Sequence, residues 1–249
     1  MSIDDIDDID DIDAARRAVH TTCLRMVADR LVVGSAGNVS VRVDVHHALV
    51  TAGGVAYDKL DPADHPVVDL RDGSWSGRRA PTSELALHLG LLRARDDIGA
   101  IVHTHSRYAA AFSVARIDLG FVCNENIGPR SEKILVTEPY APPGTEDLAV
   151  ATARTLDRQP GSRACLLANH GVVAIADDLD TAYLIAAQVE WIAEVTYLAR
   201  MLGGEHVLPP PMQDAIGGNY GFTVARAEPE SRSTAGSHRP SVDETATDP

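Results

Sequence analysis

Positive charge, cysteine and long apolar runs are all scarce in this sequence, and each scarcity removes a class of protein. Lys and Arg number 22 against 36 Asp and Glu, a formal net charge of −14. That balance repels nucleic acid and anionic membrane surfaces, so neither is expected as a partner. The three cysteines, Cys23, Cys123 and Cys165, are odd in number and scattered. They argue against a disulfide framework and for a reducing, cytoplasmic setting. No apolar stretch approaches the roughly 18 residues that span a bilayer. The N-terminus also lacks the basic-then-apolar layout of a secretory signal. What is there is a chain of 249 residues, 45% hydrophobic, long enough to bury one sizeable core or two small ones.

The negative charge is uneven. Residues 1–17 hold seven Asp against Arg16 and Arg17, and residues 226–249 hold five acids against three Arg. The opening is an Ile-Asp-Asp repeat whose aspartates disfavour a helix interior, so residues 1–13 are expected to be frayed, ending as an acidic cap on the helix that follows. Residues 226–249 are rich in Pro, Ser, Thr and charge and read as a disordered tail. The domain is expected over 14–225.

Within it, Val19, Cys23, Met26, Val27 and Leu31 recur at helical spacing, which predicts a helix from Ala14 to about Leu31. A turn of Gly, Ser and Asn at 34–38 follows, able to bring backbone amides close to an anion. Val39, Val41 and Val43 then alternate with polar residues as in a strand. A second strand, 47–51, ends in Gly53-Gly54, and residues 67–74 read as a strand entering a hairpin turn. Thr82 or Ser83 is a suitable N-cap for a helix to about Ala94, with Glu84 in its first turn. Helices are further predicted over 108–114, 146–156 and 180–202, with strands at 134–136, 165–168 and 172–175.

One stretch organises the rest. Gly99-Ala-Ile-Val-His-Thr-His-Ser106 leads from small and apolar residues into His103 and His105. Residues two apart on a strand share a face, so the two imidazoles project side by side. Neutral imidazole is the commonest metal-ligating side chain, and catalytic zinc sites use three protein ligands with an open position. A third histidine, His170, sits in an Asn-His-Gly turn between two apolar strands.

Four separated signals occur in one order: Gly-Asn-Val-Ser at 37–40, Thr-Ser-Glu at 82–84, His-Thr-His at 103–105 and Asn-His-Gly at 169–171. Together they resemble the class II aldolase/adducin head family over roughly residues 14–203, and within it the branch that cleaves phosphorylated fuculose. The resemblance implies an α/β fold of three layers, helices flanking a largely antiparallel sheet, assembled as a cyclic homotetramer. It implies one Zn2+ per subunit on His103, His105 and His170, with Glu84 as catalytic base and resting fourth ligand. It places substrate phosphate at Gly37, Asn38, Gly53, Gly54, Thr82 and Ser83. The implied reaction is cleavage of a sugar phosphate or related hydroxy-ketone, which requires an enediolate to be stabilised and a proton to be moved.

Two departures stand out. Gly53 occupies a position where these aldolases usually carry a hydroxyl, and 121–126 contains no Tyr to protonate the nascent product, Glu125 being the nearest acid. Other readings on the same fold are a decarboxylase of a phosphorylated oxo-acid and a thio-sugar-phosphate dehydratase. An epimerase typically has Asp where Glu84 stands, and a metal-free adducin-like interaction module lacks the histidines. The long helix over 180–202 offers Tyr183, Trp191 and Tyr197 to a subunit interface. The implied tetramer would bring residues beyond Gly204, such as His206 or Tyr220, near a neighbour's metal.

Overall fold

The computed structural model describes residues 9–123, 133–159 and 161–209. Glu125, Tyr220 and the proposed tail lie outside the described residues, as do residues 1–8 of the acidic repeat.

Seven strands form one sheet: β1 (Asn38–Arg42), β2 (His47–Val50), β3 (Val67–Asp69), β4 (Trp75–Ser76), β5 (Ala100–Thr104), β8 (Ala164–Leu166) and β9 (Val172–Ala176). Their spatial order is β4-β3-β2-β1-β5-β9-β8, and every neighbouring pair is antiparallel. A separate ribbon pairs β6 (Leu119–Gly120) with β7 (Lys133–Ile134). Five helices complete the fold: α1 (Ile9–Ala28), α2 (Leu85–Ala94), α3 (Arg107–Ala115), α4 (Glu146–Asp157) and α5 (Leu179–Met201).

The period-two pattern sorts side chains to two faces. On β5, Ala100 and Val102 join a cluster with Val19, Cys23 and Met26 of α1 and Ile185 and Val189 of α5. Ile101 points the other way, with Leu87 and Leu91 of α2, Leu148 of α4 and Val173 and Ile175 of β9. The result is three layers, α1/α3/α5 on one face and α2/α4 on the other, as the family resemblance implied. Leu49, Leu87 and Leu91 are fully buried, each contributing about 1.5–3 kcal/mol against exposure.

Helix ends follow local chemistry. Thr145 accepts the Leu148 N–H at the start of α4, and Asp178 accepts the Thr181 N–H at the start of α5.

Two local expectations need correction. Helix α1 begins at Ile9, inside the stretch expected to fray. Ile12 is buried in the core and Asp13 pairs with Arg16 at 3.0 Å, and acids in a first helical turn meet a favourable dipole. Helix α2 begins after Glu84, not before it. Glu84 is the cap residue, with φ −98° and ψ 22°, and Thr82 Oγ1 accepts the Glu84 N–H at 3.3 Å. The reason is that Glu84 is needed elsewhere: its side chain turns toward β5 instead of lying along the helix.

Candidate metal centre

His103 is the second-last residue of β5 and His105 lies just past its end. Both share the face of Ile101, toward α2. Two neighbours fix the strand end. Leu31 O accepts the His105 N–H at 3.0 Å. Glu190, reaching from α5, accepts the N–H groups of Tyr108 and Ala109 at 2.9 Å each and so satisfies the start of α3 immediately downstream.

His170 arrives from the turn joining β8 to β9. The turn closes through His170 N–H to Leu167 O at 3.0 Å and Leu167 N–H to Gly171 O at 2.7 Å. Asn169 adopts left-handed backbone, φ +54°, which Asn tolerates better than most residues. Its Oδ1 accepts from the Arg116 guanidinium. Gly171 is required because a Cβ there would collide with the Thr104 carbonyl oxygen. The turn therefore presses directly against the end of β5.

The three rings meet edge to face, with centroids 4.6–4.8 Å apart. His105 Nε2 is 2.9 Å from His103 Nε2. Glu84 Oε2 is 3.0 Å from His103 Nε2, and Oε1 is 3.4 Å from His170 Nε2. One ligand atom from each of Glu84, His103, His105 and His170 lies within 4.8 Å of the others.

The donor set suits a divalent metal. His103 donates Nδ1–H to Val172 O at 2.8 Å, leaving the Nε2 lone pair aimed into the cluster, the outer-shell arrangement common to metal-binding imidazoles. Glu84 Oε1 is buried without a hydrogen-bond partner, an orphaned acceptor that a cation would satisfy. Burial, followed by the field of His103, pushes His105 down to about 3 and His170 down to about 4. Both are neutral at neutral pH, the form in which an imidazole can bind a metal. Burial alone would raise the Glu84 carboxyl. The neighbouring imidazoles of His103 and then His170, with the Asn38 amide, outweigh it and hold the group well below the usual carboxylate range.

The residues expected to bind phosphate divide in two. Gly53, Gly54 and Ser83 line a cavity of about 550 Å³ with Arg78, Arg79, Ala80 and Pro81. Arg79 also faces Asp64 at 3.4 Å. Thr82 is buried, donating its N–H to Thr51 O at 2.9 Å.

Gly37 and Asn38 stand beside the histidine cluster. Gly37, at φ +76°, sits so close to β5 that a Cβ would lie 2.7 Å from His103 O, and its carbonyl accepts the Tyr57 hydroxyl at 2.6 Å. Asn38 gives Nδ2–H to Glu84 Oε2 at 2.8 Å, and its Oδ1 meets His88 Nε2 at 2.5 Å.

Sequence reasoning missed His88, Arg78 and Arg79. His88 had a signal: it lies four residues after Glu84 and so on the same helical face.

Known proteins resemble this chain over most of its length. Residues 17–197 match the family described as Class II Aldolase and Adducin N-terminal domain. The 5-deoxy-D-ribulose 1-phosphate aldolase of Bacillus thuringiensis serovar kurstaki is 33% identical over 189 residues, covering 74% of this chain and 85% of that protein. An L-fuculose phosphate aldolase of Methanococcus maripaludis is 34% identical over 183 residues, covering 72% of this chain and 94% of that one. A solved L-fuculose 1-phosphate aldolase superposes with a TM-score of 0.77 at 31% identity, covering 84% of this chain and 97% of its own. With the fold, the cluster and these relatives in agreement, the chain belongs to the class II aldolase and adducin family, as an aldolase and carbon–carbon lyase.

Proposed function

We propose that this protein is a zinc-dependent aldolase that cleaves a ketose 1-phosphate into dihydroxyacetone phosphate and an aldehyde. The observation that carries the reading is the convergence of Glu84 with His103, His105 and His170, one residue along the chain from a cavity edged by two arginines. The relatives named for deoxyribulose and fuculose phosphates share a phosphorylated ketose as substrate, and that shared chemistry is what the proposal adopts.

His103, His105 and His170 would hold the ion, with Glu84 as the fourth ligand at rest. Three neutral imidazoles and one carboxylate are a donor set that zinc accepts. When bound, the ion supplies Lewis acidity toward the substrate's carbonyl oxygen. In cleavage, water takes the C4 hydroxyl proton, the C3–C4 bond breaks with its electron pair left on C3, and C4 becomes a carbonyl. Glu84, having taken a proton from solvent, delivers it to C3, and in the reverse direction removes it and passes it back to solvent. Its second oxygen remains held by Asn38, which keeps the carboxylate aimed while it works.

Backbone amides at Gly53 and Gly54 and the Ser83 hydroxyl would take the phosphate. Arg78 and Arg79 supply positive charge where Gly53 offers no hydroxyl. In this reading residues 14–225 form the catalytic domain and the protein is cytoplasmic. It assembles as a homotetramer with active sites between subunits. Tyr183, expected at that interface, is buried in the core against Arg25 and Asp29. Trp191, Tyr197, Leu198 and Met201 of α5, by contrast, are about half or more exposed, an apolar surface that assembly would cover.

Two measurements test the proposal. Metal analysis of protein never exposed to chelator should find one zinc per chain. A panel of phosphorylated and unphosphorylated ketoses should release aldehyde only from ketose 1-phosphates, with inorganic phosphate competing. Release of carbon dioxide from an oxo-acid, or no turnover of any ketose, would refute it.

A further inference from the structure

We propose that His88 is a positioning residue for Glu84, acting through Asn38 with Ser40 behind it; the proposal rests on the reading of Glu84 as the base beside a bound metal. Four side chains form a single buried file. Ser40 Oγ lies 2.7 Å from His88 Nδ1, His88 Nε2 lies 2.5 Å from Asn38 Oδ1, and Asn38 Nδ2 lies 2.8 Å from Glu84 Oε2. Ser40 and His88 are fully buried, and Asn38 and Glu84 nearly so.

Hydrogen-bond chemistry fixes the direction of every link. A carboxylate only accepts, so Asn38 must present its NH2 to Glu84. That leaves Oδ1 toward His88, which must then donate from Nε2. A neutral imidazole with Nε2–H has an acceptor at Nδ1, so the Ser40 hydroxyl donates to it. All three donors thus point toward Glu84. Reversing the Asn38 amide would set oxygen against the Glu84 carboxylate and N–H against the His88 N–H. Both clashes are buried, where unpaired polar groups are most costly. His88 therefore locks the orientation of Asn38. Asn38 in turn holds Glu84 Oε2, which also faces His103 Nε2 at 3.0 Å, and leaves Oε1, which has no hydrogen-bond partner, facing His170 Nε2 at 3.4 Å.

The spacing shows how the fold supplies this file. Asn38 and Ser40 stand two apart on β1 and share its α2 face, while Glu84 and His88 stand four apart at the start of α2. A purely structural role would need none of this directionality. His88 would then be a polar core residue whose removal lowers stability alone.

The test uses the full chain loaded with Co2+, whose visible absorption reports the ligand set. Wild type is compared with His88→Ala, His88→Gln and Ser40→Ala. Solvent deuterium exchange into dihydroxyacetone phosphate is measured on the same samples. His88→Ala should bind Co2+ with wild-type stoichiometry but an altered spectrum. Its exchange kcat should fall by about tenfold or more, the scale of outer-shell losses, with KM within about twofold. His88→Gln, whose amide places a donor near the position of Nε2, should recover most of both. Ser40→Ala should move both readouts in the same direction by less. If His88→Ala does not fold, Ser40→Ala decides the matter, a wild-type spectrum and kcat in that variant overturning the positioning role.

Wild-type spectra and kcat in the folded variants would overturn the positioning role, and so would a Gln variant no better than Ala. Wild-type protein that binds no Co2+ would overturn the metal-centre reading and this inference with it. Wild-type protein that binds Co2+ and exchanges, with variants that match it, would overturn this inference alone.

Discussion

The two faces of β5 obey different rules. On one, Ala100 and Val102 meet α5 and α1 through apolar contact alone. On the other, Ile101 gives way after one step to His103, and around it gather Asn38, Ser40, Glu84, His88, His105 and His170. The polar face is buried almost as deeply as the apolar one: His103, His88 and Ser40 are each fully buried. It survives because most of its polar atoms meet a specific neighbour, with Glu84 Oε1 and His170 Nδ1 left unpaired, whereas the apolar face needs only volume and shape. One face carries stability and the other carries chemistry, a few ångströms apart on the same strand.

That division can be broken experimentally, and the expected effects descend from the polar face to the apolar one. His105→Ala should abolish stoichiometric metal binding and reduce turnover by well over 100-fold, beyond what losing an outer-shell partner costs. Metal content after gel filtration and single-turnover aldehyde release would check it. Glu84→Gln should keep the metal while lowering kcat by roughly 10²–10⁴, the usual contribution of a general base; near wild-type turnover would reduce Glu84 to a helix-start residue.

Val102→Ala, one residue from His103 but on the opposite face, should do the reverse. It should destabilise the fold by roughly 1–3 kcal/mol in urea unfolding and leave metal stoichiometry intact. Loss of metal in that variant would mean the faces are not separable.

A separate effect is a pH dependence of the chelated protein. Burial first, then nearby positive groups, pushes His65 down to about 4, and burial followed by the field of His103 pushes His88 down to about 3. Both titrate near 6.5 when unfolded, so below that pH the unfolded chain binds more protons than the folded one. The stability these neutral histidines contribute is complete above pH 6.5. It declines toward pH 4 with a slope of at most about 1.4 kcal/mol per pH unit for each group. Unfolding midpoints measured from pH 7.5 to 4.5 would test it, and His65→Asn should flatten the curve.

The apolar face was the more legible of the two in the sequence. Alternating Val39 and Val41, the helical recurrence of Val19, Cys23 and Met26 and the apolar residues before His103 state their structure through periodicity, because burial of area is indifferent to partner identity. The clustered histidines were legible for a different reason. His-x-His and Asn-His-Gly are local patterns, and the first follows from strand geometry alone.

His88 was hidden. It sits in Leu85-Ala-Leu-His-Leu89 as one polar residue inside an apolar stripe, and its meaning depends on Asn38 and Ser40 of another element. The start of α2 was misjudged because Thr82 and Ser83 are good caps by composition, and only the tertiary demand on Glu84 delays the helix. The reach of α1 back to Ile9 likewise depends on the burial of Ile12, a contact with no local signature. Arg78 and Arg79 precede the Thr-Ser-Glu motif, and nothing in their spacing shows that they edge a cavity.

The hydrogen bond from His103 to the Val172 carbonyl joins residues 69 positions apart in the chain, and it does more than choose a tautomer. The β5–β9 ladder sets His103 opposite Val173 and Thr104 opposite Val172. A slip of one residue in that ladder would hand His103 to the wrong face and carry His170 off with the moving turn. An ion that demands all three imidazoles binds one alignment and rejects its neighbours, stabilising the correct pairing in proportion to its occupancy. Bound there as proposed, a metal would proofread the central ladder, and a chain refolded with it present should close that ladder in a single register.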